Sequence, residues 1–205
     1  MSAVESIIWS YSSLFLGLAV AWWLARILTG WSGYVARRFG IVSPVTGRSS
    51  HSIPTPRLGG IGLVSGFAAG AALFLGGLMI LSQKTALVGY NPDLLFWVGL
   101  GFGLMVIVGL LDDLFDLHPL LKLLLMTLAV LPPLLGGGLV FDIKTTTLPV
   151  TAAHACAVVL TLFWILFFTN AFNFMDGMDG FAASFARMAG LFIFAVPFIN
   201  GIISG

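Results

Sequence analysis

The sequence predicts an all-α membrane protein, a polytopic bundle of about six transmembrane helices that forms a single domain over residues 1–205. Of the 205 residues, 59% are hydrophobic and 8% are charged, whereas a soluble domain carries about 25% charged residues. So little polar surface cannot cover a globule in water, and the bilayer is therefore the expected solvent. Unsatisfied backbone groups are not tolerated in lipid, and no barrel-type alternation is present, so helices are expected.

Six apolar runs each approach the roughly 20 residues that a helix needs to cross the hydrocarbon. An Arg-rich segment follows the first run, and a Gly-Gly pair opens the second. Acidic residues follow the third and the fifth. Lys122 and the pair Pro132-Pro133 interrupt the fourth, and Cys156, in the fifth, is predicted to be a small packing residue. The runs are Ile7–Leu28, Gly59–Leu81, Leu94–Leu111, His118–Leu135, Ala152–Phe168 and Phe181–Ile203.

The basic residues predict the orientation of this bundle. In a six-span arrangement only Lys84 and Lys144 fall on one side. Seven fall on the other: Arg26, Arg37, Arg38, Arg48, Arg57, Lys122 and Arg187. Because basic residues favour the cytoplasmic side, the N-terminus is predicted outside and segments 29–58, 112–117 and 169–180 inside. A net charge of +1 gives no reason to expect a nucleic-acid partner.

An acidic cluster follows the third run. The adjacent carboxylates of Asp112 and Asp113 can bind a divalent cation through hard oxygen ligands, or one can act as a base while the other holds a cation. A solvated helix terminus is the alternative, although negative charge at a helix C-terminus opposes the macrodipole. Asp116 is predicted to cap the next helix, which begins near His118-Pro119, and His118 is expected to be a polar helix-end residue.

A second polar cluster follows the fifth run, with one carboxamide or carboxylate at every third position. Each step of three drifts by about 60° around an ideal helix, so these side chains converge better if the backbone leaves the helix. Gly177 and Gly180 permit such a departure. Capping alone would explain one acid, and an acidic, amide-lined loop is therefore predicted. The four residues are Asn170, Asn173, Asp176 and Asp179.

The segment from Arg48 to Gly60 is the third polar piece. Two prolines stiffen it, and Gly59-Gly60 lets a helix begin close to a neighbour. Arg48, His51 and Arg57 could meet phosphate oxygens, or they could be ordinary positive-inside charges. Basic groups and carboxylates on one face of a membrane suit a phosphorylated substrate with a metal ion.

Three stretches resemble motifs of the polyprenyl-phosphate N-acetylhexosamine-1-phosphate transferases (glycosyltransferase family 4), in the order found in that family. They are His51-Ser-Ile-Pro-Thr-Pro-Arg-Leu-Gly-Gly60, Gly109-Leu-Leu-Asp-Asp-Leu-Phe-Asp-Leu117 and Asn170-Ala-Phe-Asn-Phe-Met-Asp-Gly-Met-Asp-Gly180. The resemblance implies that a UDP-N-acetylhexosamine gives sugar-1-phosphate to undecaprenyl phosphate, releasing UMP and initiating cell-envelope glycan synthesis. It also implies Mg²⁺ as cofactor, with Mn²⁺ as a substitute, and a place in the bacterial cytoplasmic (inner) membrane among membrane lipids. A homo-oligomer is left open.

The motif match also implies roles for individual residues. Asp112 and Asp113 would be catalytic and, with Asp176 and Asp179, would hold the metal; which acid is the base stays open. The implied substrate-binding residues are His51, Thr55, Arg57, Asn170, Asn173, Asp176 and Asp179.

Family members usually have ten or eleven helices and further cytoplasmic motifs, so the resemblance covers about the first three-fifths of a typical member. An inactive fragment of the transferase is one alternative. An ion-coupled transporter is another, although transporter sites tend towards the membrane midplane.

Overall fold

A computed structural model describes residues 3–43, 54–81, 91–138, 141–143, 149–175 and 181–204. His51, Asp176 and Asp179 lie outside the described residues. The helices and strands are α1 (Ala3–Arg38), β1 (Val42–Ser43), β2 (Thr55–Pro56), α2 (Gly59–Leu81), α3 (Pro92–Phe115), α4 (Pro119–Leu135), α5 (Val150–Met175) and α6 (Phe181–Ser204). They fall into two compact units, one with α1 to α4 and both strands, the other with α5 and α6.

Helices α1 and α2 pack as an antiparallel pair along a seam of small residues. A Cβ added at Gly66 would lie 2.5 Å from the Ala21 carbonyl oxygen and 2.7 Å from the Ala25 Cβ. A Cβ added at Gly70 would lie 2.6 Å from the Gly17 carbonyl oxygen. The seam brings the two backbones into close approach, which in lipid supplies van der Waals attraction that the hydrophobic effect cannot. The α1 side of the seam repeats every four residues: Ser13, Gly17, Ala21, Ala25 and Thr29.

Helix α1 continues ten residues past Leu28, where the apolar run ends, to Arg38. Polar residues do not by themselves end a helix; this one ends at Arg38, two residues before Gly40, whose φ of 71° is left-handed and therefore suits glycine. On this extension the side chains of Ser32 and Ala36 are almost fully buried, at 1% and 0% exposure. At its 1.5 Å rise, the 36-residue helix is about 54 Å long, more than the roughly 30 Å of hydrocarbon.

The two short strands form an antiparallel ribbon after α1. Val42 pairs with Pro56 and Ser43 pairs with Thr55. The backbone N–H of Arg57 donates to the Ile41 carbonyl at 3.2 Å, which prolongs the pairing by one further bond. Thr55 is half-buried on this ribbon, three residues before the buried Leu58 and four before the start of α2.

Helices α3 and α4 form a second antiparallel pair. A Cβ added at Gly101 would lie 2.5 Å from the Pro133 ring and 2.9 Å from the Ala129 carbonyl oxygen. Val108, Met126 and Val130 are among the buried apolar residues of this pair, between 2% and 7% exposed. Helix α4 has 17 residues, with Pro132 and Pro133 inside its last turn.

The second unit consists of α5 and α6. The rings of Phe172 and Phe185 meet edge to face, with centroids 5.4 Å apart. Cys156 is exposed on α5, so the prediction that it is a packing residue is wrong. The neighbouring Ala153 and Ala157, one helical turn apart, are the buried small residues of this stretch.

The prediction of an all-α polytopic membrane protein is confirmed. Within the described residues, four stretches are long and apolar enough to cross a membrane: Ser12–Arg38, Gly59–Gly77, Pro92–Phe115 and Val150–Met175. Shorter apolar helical stretches cover Pro119–Leu135 and Phe181–Phe192. Each predicted run therefore coincides with a helix.

Candidate functional site

The site is built around the C-terminal end of α3. Asp112 and Asp113 lie in its last turn, and both are half-buried. The helix ends at Phe115, and Asp116 follows in the left-handed conformation with φ 53° and ψ 62°. The backbone N–H of Asp116 donates to the Asp112 carbonyl at 2.9 Å. Two carboxylates therefore lie at the end of the helix and away from its middle.

Asp116 does not cap α4, and that prediction is wrong. It is the C-cap of α3, and α4 is capped by His118, whose Nδ1 accepts from the Leu120 N–H at 3.3 Å. Asp116 forms part of the turn that ends α3, so the N-cap position of α4 falls two residues later. The prediction of a polar helix-end role for His118 is confirmed, with Pro119 in the first turn of α4.

An ion pair joins α4 to the acidic cluster. The Lys122 Nζ donates to the Asp112 Oδ2 at 2.7 Å, and the two side chains are 19% and 25% exposed. At this distance the hydrogen bond is charge-assisted and stronger than a bond between neutral groups. Lys122 therefore places a cation directly beside the predicted catalytic acids.

A second ion pair joins the β-ribbon to the same helix end. The Arg57 Nη1 lies 3.3 Å from the Asp116 Oδ1, and the Arg57 Nε donates to the Ser43 Oγ at 3.0 Å. The Arg57 side chain is 26% exposed and that of Asp116 is 85% exposed. Through this contact the segment with Thr55 and Arg57 lies beside the segment with Asp112 and Asp113.

The second polar cluster, which follows the fifth apolar run, lies partly on α5. Asn170 and Asn173 are exposed residues of a helix that continues to Met175, so the prediction that the backbone leaves the helix is wrong for these two. No glycine or proline interrupts the helix before residue 177, and the Asn170 Nδ2 donates to the Leu166 carbonyl at 2.8 Å. Asp176 and Asp179 lie outside the described residues.

The two acids at the end of α3 supply oxygen ligands of the kind that magnesium binds. Among the described residues, no three His, Cys, Asp or Glu side chains gather as a metal site. Asp112 and Asp113 are adjacent hard carboxylates. Magnesium keeps several waters and commonly binds through one or two carboxylates together with substrate phosphates. The carboxylates of Asp112 and Asp113 therefore fit the ligand preference of magnesium.

Lys122 and Ser43 are the residues at this site that the sequence-based prediction did not include. From the sequence, Lys122 was interpreted as an interruption of the fourth apolar run and as a charge that orients the protein in the membrane, although a lysine inside an apolar helix needs a nearby partner. The short α3–α4 connection was the available signal, because it folds a lysine on α4 back towards acids on α3. For Ser43 no sequence signal existed, since its contact with Arg57 depends on how the ribbon pairs.

The fold and the site together define a polytopic α-helical membrane protein with paired acidic and basic side chains at one helix end. The chain belongs to glycosyl transferase family 4, because the model of that family matches residues 94–204, more than half of its length. The matched region contains the second and third motifs named above.

Curated relatives agree with this membership. A decaprenyl-phosphate N-acetylglucosaminephosphotransferase of Mycolicibacterium smegmatis is 30% identical over 172 residues, covering 80% of this chain and 40% of the relative. A probable undecaprenyl-phosphate N-acetylglucosaminyl 1-phosphate transferase of Bacillus subtilis is 28% identical over 169 residues, covering 82% of this chain and 43% of the relative. The chain thus spans about two-fifths of their length, which is less than the three-fifths that the motif resemblance predicted. No solved structure matches it significantly.

Proposed function

We propose that this protein takes part in the transfer of sugar-1-phosphate from a UDP-N-acetylhexosamine to undecaprenyl phosphate. The observation that carries the proposal is the placement of Asp112 and Asp113 in the last turn of α3, with Lys122 2.7 Å from Asp112. The names of the relatives, which specify polyprenyl phosphates and N-acetylglucosamine phosphate transfer, support the same reaction class.

In the proposed reaction an oxygen of the lipid phosphate attacks the sugar-linked phosphorus of the UDP-sugar. The bond from that phosphorus to the bridging oxygen breaks, and UMP leaves with the electron pair. The products are a lipid-linked diphospho-sugar and UMP. Phosphoryl transfer of this kind depends mainly on positioning and charge neutralisation.

The chain's own residues would orient the reactants and neutralise their charge. One of Asp112 and Asp113 takes any proton carried by the acceptor phosphate, and Lys122 fixes the Asp112 carboxylate. Asp112 and Asp113, together with Asp176 and Asp179, would hold a magnesium ion, which would supply neutralisation of the phosphate charge. Manganese has the same preference for oxygen ligands and would substitute. We assign the remaining substrate contacts to His51, Thr55, Asn170 and Asn173.

We further propose that the site faces the cytoplasm of a bacterium. The protein is an integral membrane protein, and seven of its nine lysine and arginine residues fall on one side of a six-span arrangement. In that arrangement the N-terminus is outside, and the Asp112 end of α3 is inside. A UDP-sugar donor would then reach the acids from water while the lipid acceptor reaches them from the bilayer.

Radiolabelled UDP-N-acetylglucosamine, undecaprenyl phosphate and magnesium, incubated with the purified protein, test this reaction. Label should enter the lipid fraction, and Asp112→Asn should abolish this incorporation. Asp93→Asn is the matched control, because Asp93 is an exposed acid at the opposite end of the same helix and should leave incorporation unchanged. Equal loss in both variants would contradict the assignment, and ion uptake into vesicles without labelled lipid would favour a transporter.

A further inference from the structure

Arg57 makes three contacts that join separate parts of the first unit. Its backbone N–H donates to Ile41, its Nε donates to Ser43 on the opposite strand, and its Nη1 pairs with Asp116 on α3. The last contact spans 59 positions of the sequence. Arg57 therefore connects the two strands of the ribbon to each other and to the end of α3, the helix that carries Asp112 and Asp113.

Stability does not explain the choice of aspartate at position 116. Asp116 is the one non-glycine residue with positive φ in the described part of the chain, a conformation that glycine or asparagine adopts more readily. Its negative charge at a helix C-terminus opposes the macrodipole. With 85% of its side chain exposed, its ion pair with Arg57 contributes little to folding, because water screens it.

We propose that Arg57, Ser43 and Asp116 are positioning residues that together hold strand β2, and with it Thr55, in fixed register against the acid-bearing end of α3. The presence of an aspartate at position 116, where the backbone disfavours it, is explained if its function is to hold Arg57 in a fixed geometry. Arg57 then acts through its contact with Asp116, and its main role is to hold strand β2 against the end of α3. This inference rests on the proposed function only where turnover is measured.

The first test needs no turnover. Spin labels at Val42 on β1 and Leu120 on α4, introduced as cysteines in a Cys156→Ser background, report the distance between the ribbon and the α3–α4 connection. The parent protein should give one narrow distance distribution. Arg57→Gln should broaden it, and so should Asp116→Gly, which suits the left-handed backbone and therefore keeps the fold. Arg38→Gln, an exposed arginine at the end of α1, is the control and should leave the distribution narrow.

Exchanging the two charges separates positioning from substrate binding. In the double variant Arg57→Asp with Asp116→Arg the distance distribution should become narrower than in either single variant.

The labelled-lipid assay measures the effect on turnover. Arg57→Gln should lower kcat about 10- to 100-fold with KM little changed, as expected for a small misplacement of strand β2. The charge exchange should recover part of this loss. A narrow distribution in Arg57→Gln would overturn the inference. So would a raised KM that the exchange does not lower, because Arg57 would then bind phosphate directly. If no variant turns over, the distance measurements still decide the matter.

Discussion

The ammonium group of Lys122 lies 2.7 Å from the Asp112 carboxylate, across the turn between α3 and α4. Lys122 lies inside the fourth apolar run and Asp112 directly follows the third, and a charge so close to lipid is costly without a partner. Their pairing compensates both charges at one helix end and fixes the orientation of one of the two adjacent acids. The neighbouring Arg57–Asp116 pair, with 3.3 Å between its charged atoms, joins the β-ribbon to the same end of α3.

Replacing Lys122 by methionine should destabilise the first unit. The Asp112 side chain is 25% exposed, and a largely buried carboxylate that loses its donor typically costs about 1–3 kcal/mol. Thermal unfolding in detergent, followed by tryptophan fluorescence, measures the change. The double variant Asp112→Asn with Lys122→Met should lose less stability than the sum of the two single variants. Strict additivity would show that the pair has no energetic coupling.

The seam between α1 and α2 predicts opposite effects for one substitution at two glycines of one helix. Gly66→Ala places a Cβ 2.5 Å from a carbonyl oxygen of α1 and should destabilise the protein by about 1–3 kcal/mol. Gly76→Ala meets nothing within 4 Å and should stabilise the helix by about 0.5–1 kcal/mol. Unfolding temperatures measured in one detergent give the sign of the stability change for each variant. If the two variants shift alike, α2 does not meet α1 along this seam.

Cysteine accessibility tests the proposed orientation. In a Cys156→Ser background, single cysteines at Phe39 and Phe174 should react with a membrane-impermeant maleimide from the cytoplasmic side, and one at Leu135 from the outside. All three side chains are strongly exposed, at 73%, 87% and 77%. Labelling intact cells and inverted membranes separates the two sides. Opposite sides for Phe39 and Phe174 would separate the first motif from the third and would exclude a shared site.

Asp113 should be required for metal-dependent transfer. Asp113→Asn should reduce incorporation of labelled sugar into lipid about 10²- to 10⁴-fold if Asp113 is the base. It should also raise the magnesium concentration needed for half-maximal rate if it is a metal ligand. Chelation by EDTA should abolish the reaction, and added magnesium should restore it. Asp93→Asn should leave both the rate and the magnesium requirement unchanged.

Helix content followed directly from composition, but the helix ends did not. The apolar run predicted an end at Leu28 for the first helix and at Phe168 for the fifth, whereas the helices continue to Arg38 and Met175. Polarity marks where a helix leaves the hydrocarbon, and hydrogen bonding sets where it ends. The extension of α1 carries the buried Ser32 and Ala36, and that of α5 carries Asn170 and Asn173.

By itself the sequence determined the bilayer as solvent, six apolar helices, and acids collected at helix ends, because those properties depend on hydropathy and on the cost of charge in lipid. Only the tertiary structure decided which charges meet. Asp116 was assigned to the wrong helix, and neither Lys122 nor Ser43 was assigned to the site. Such pairings depend on how two helical pairs and a ribbon converge, and contacts between residues far apart in the chain leave no periodic signal in the sequence.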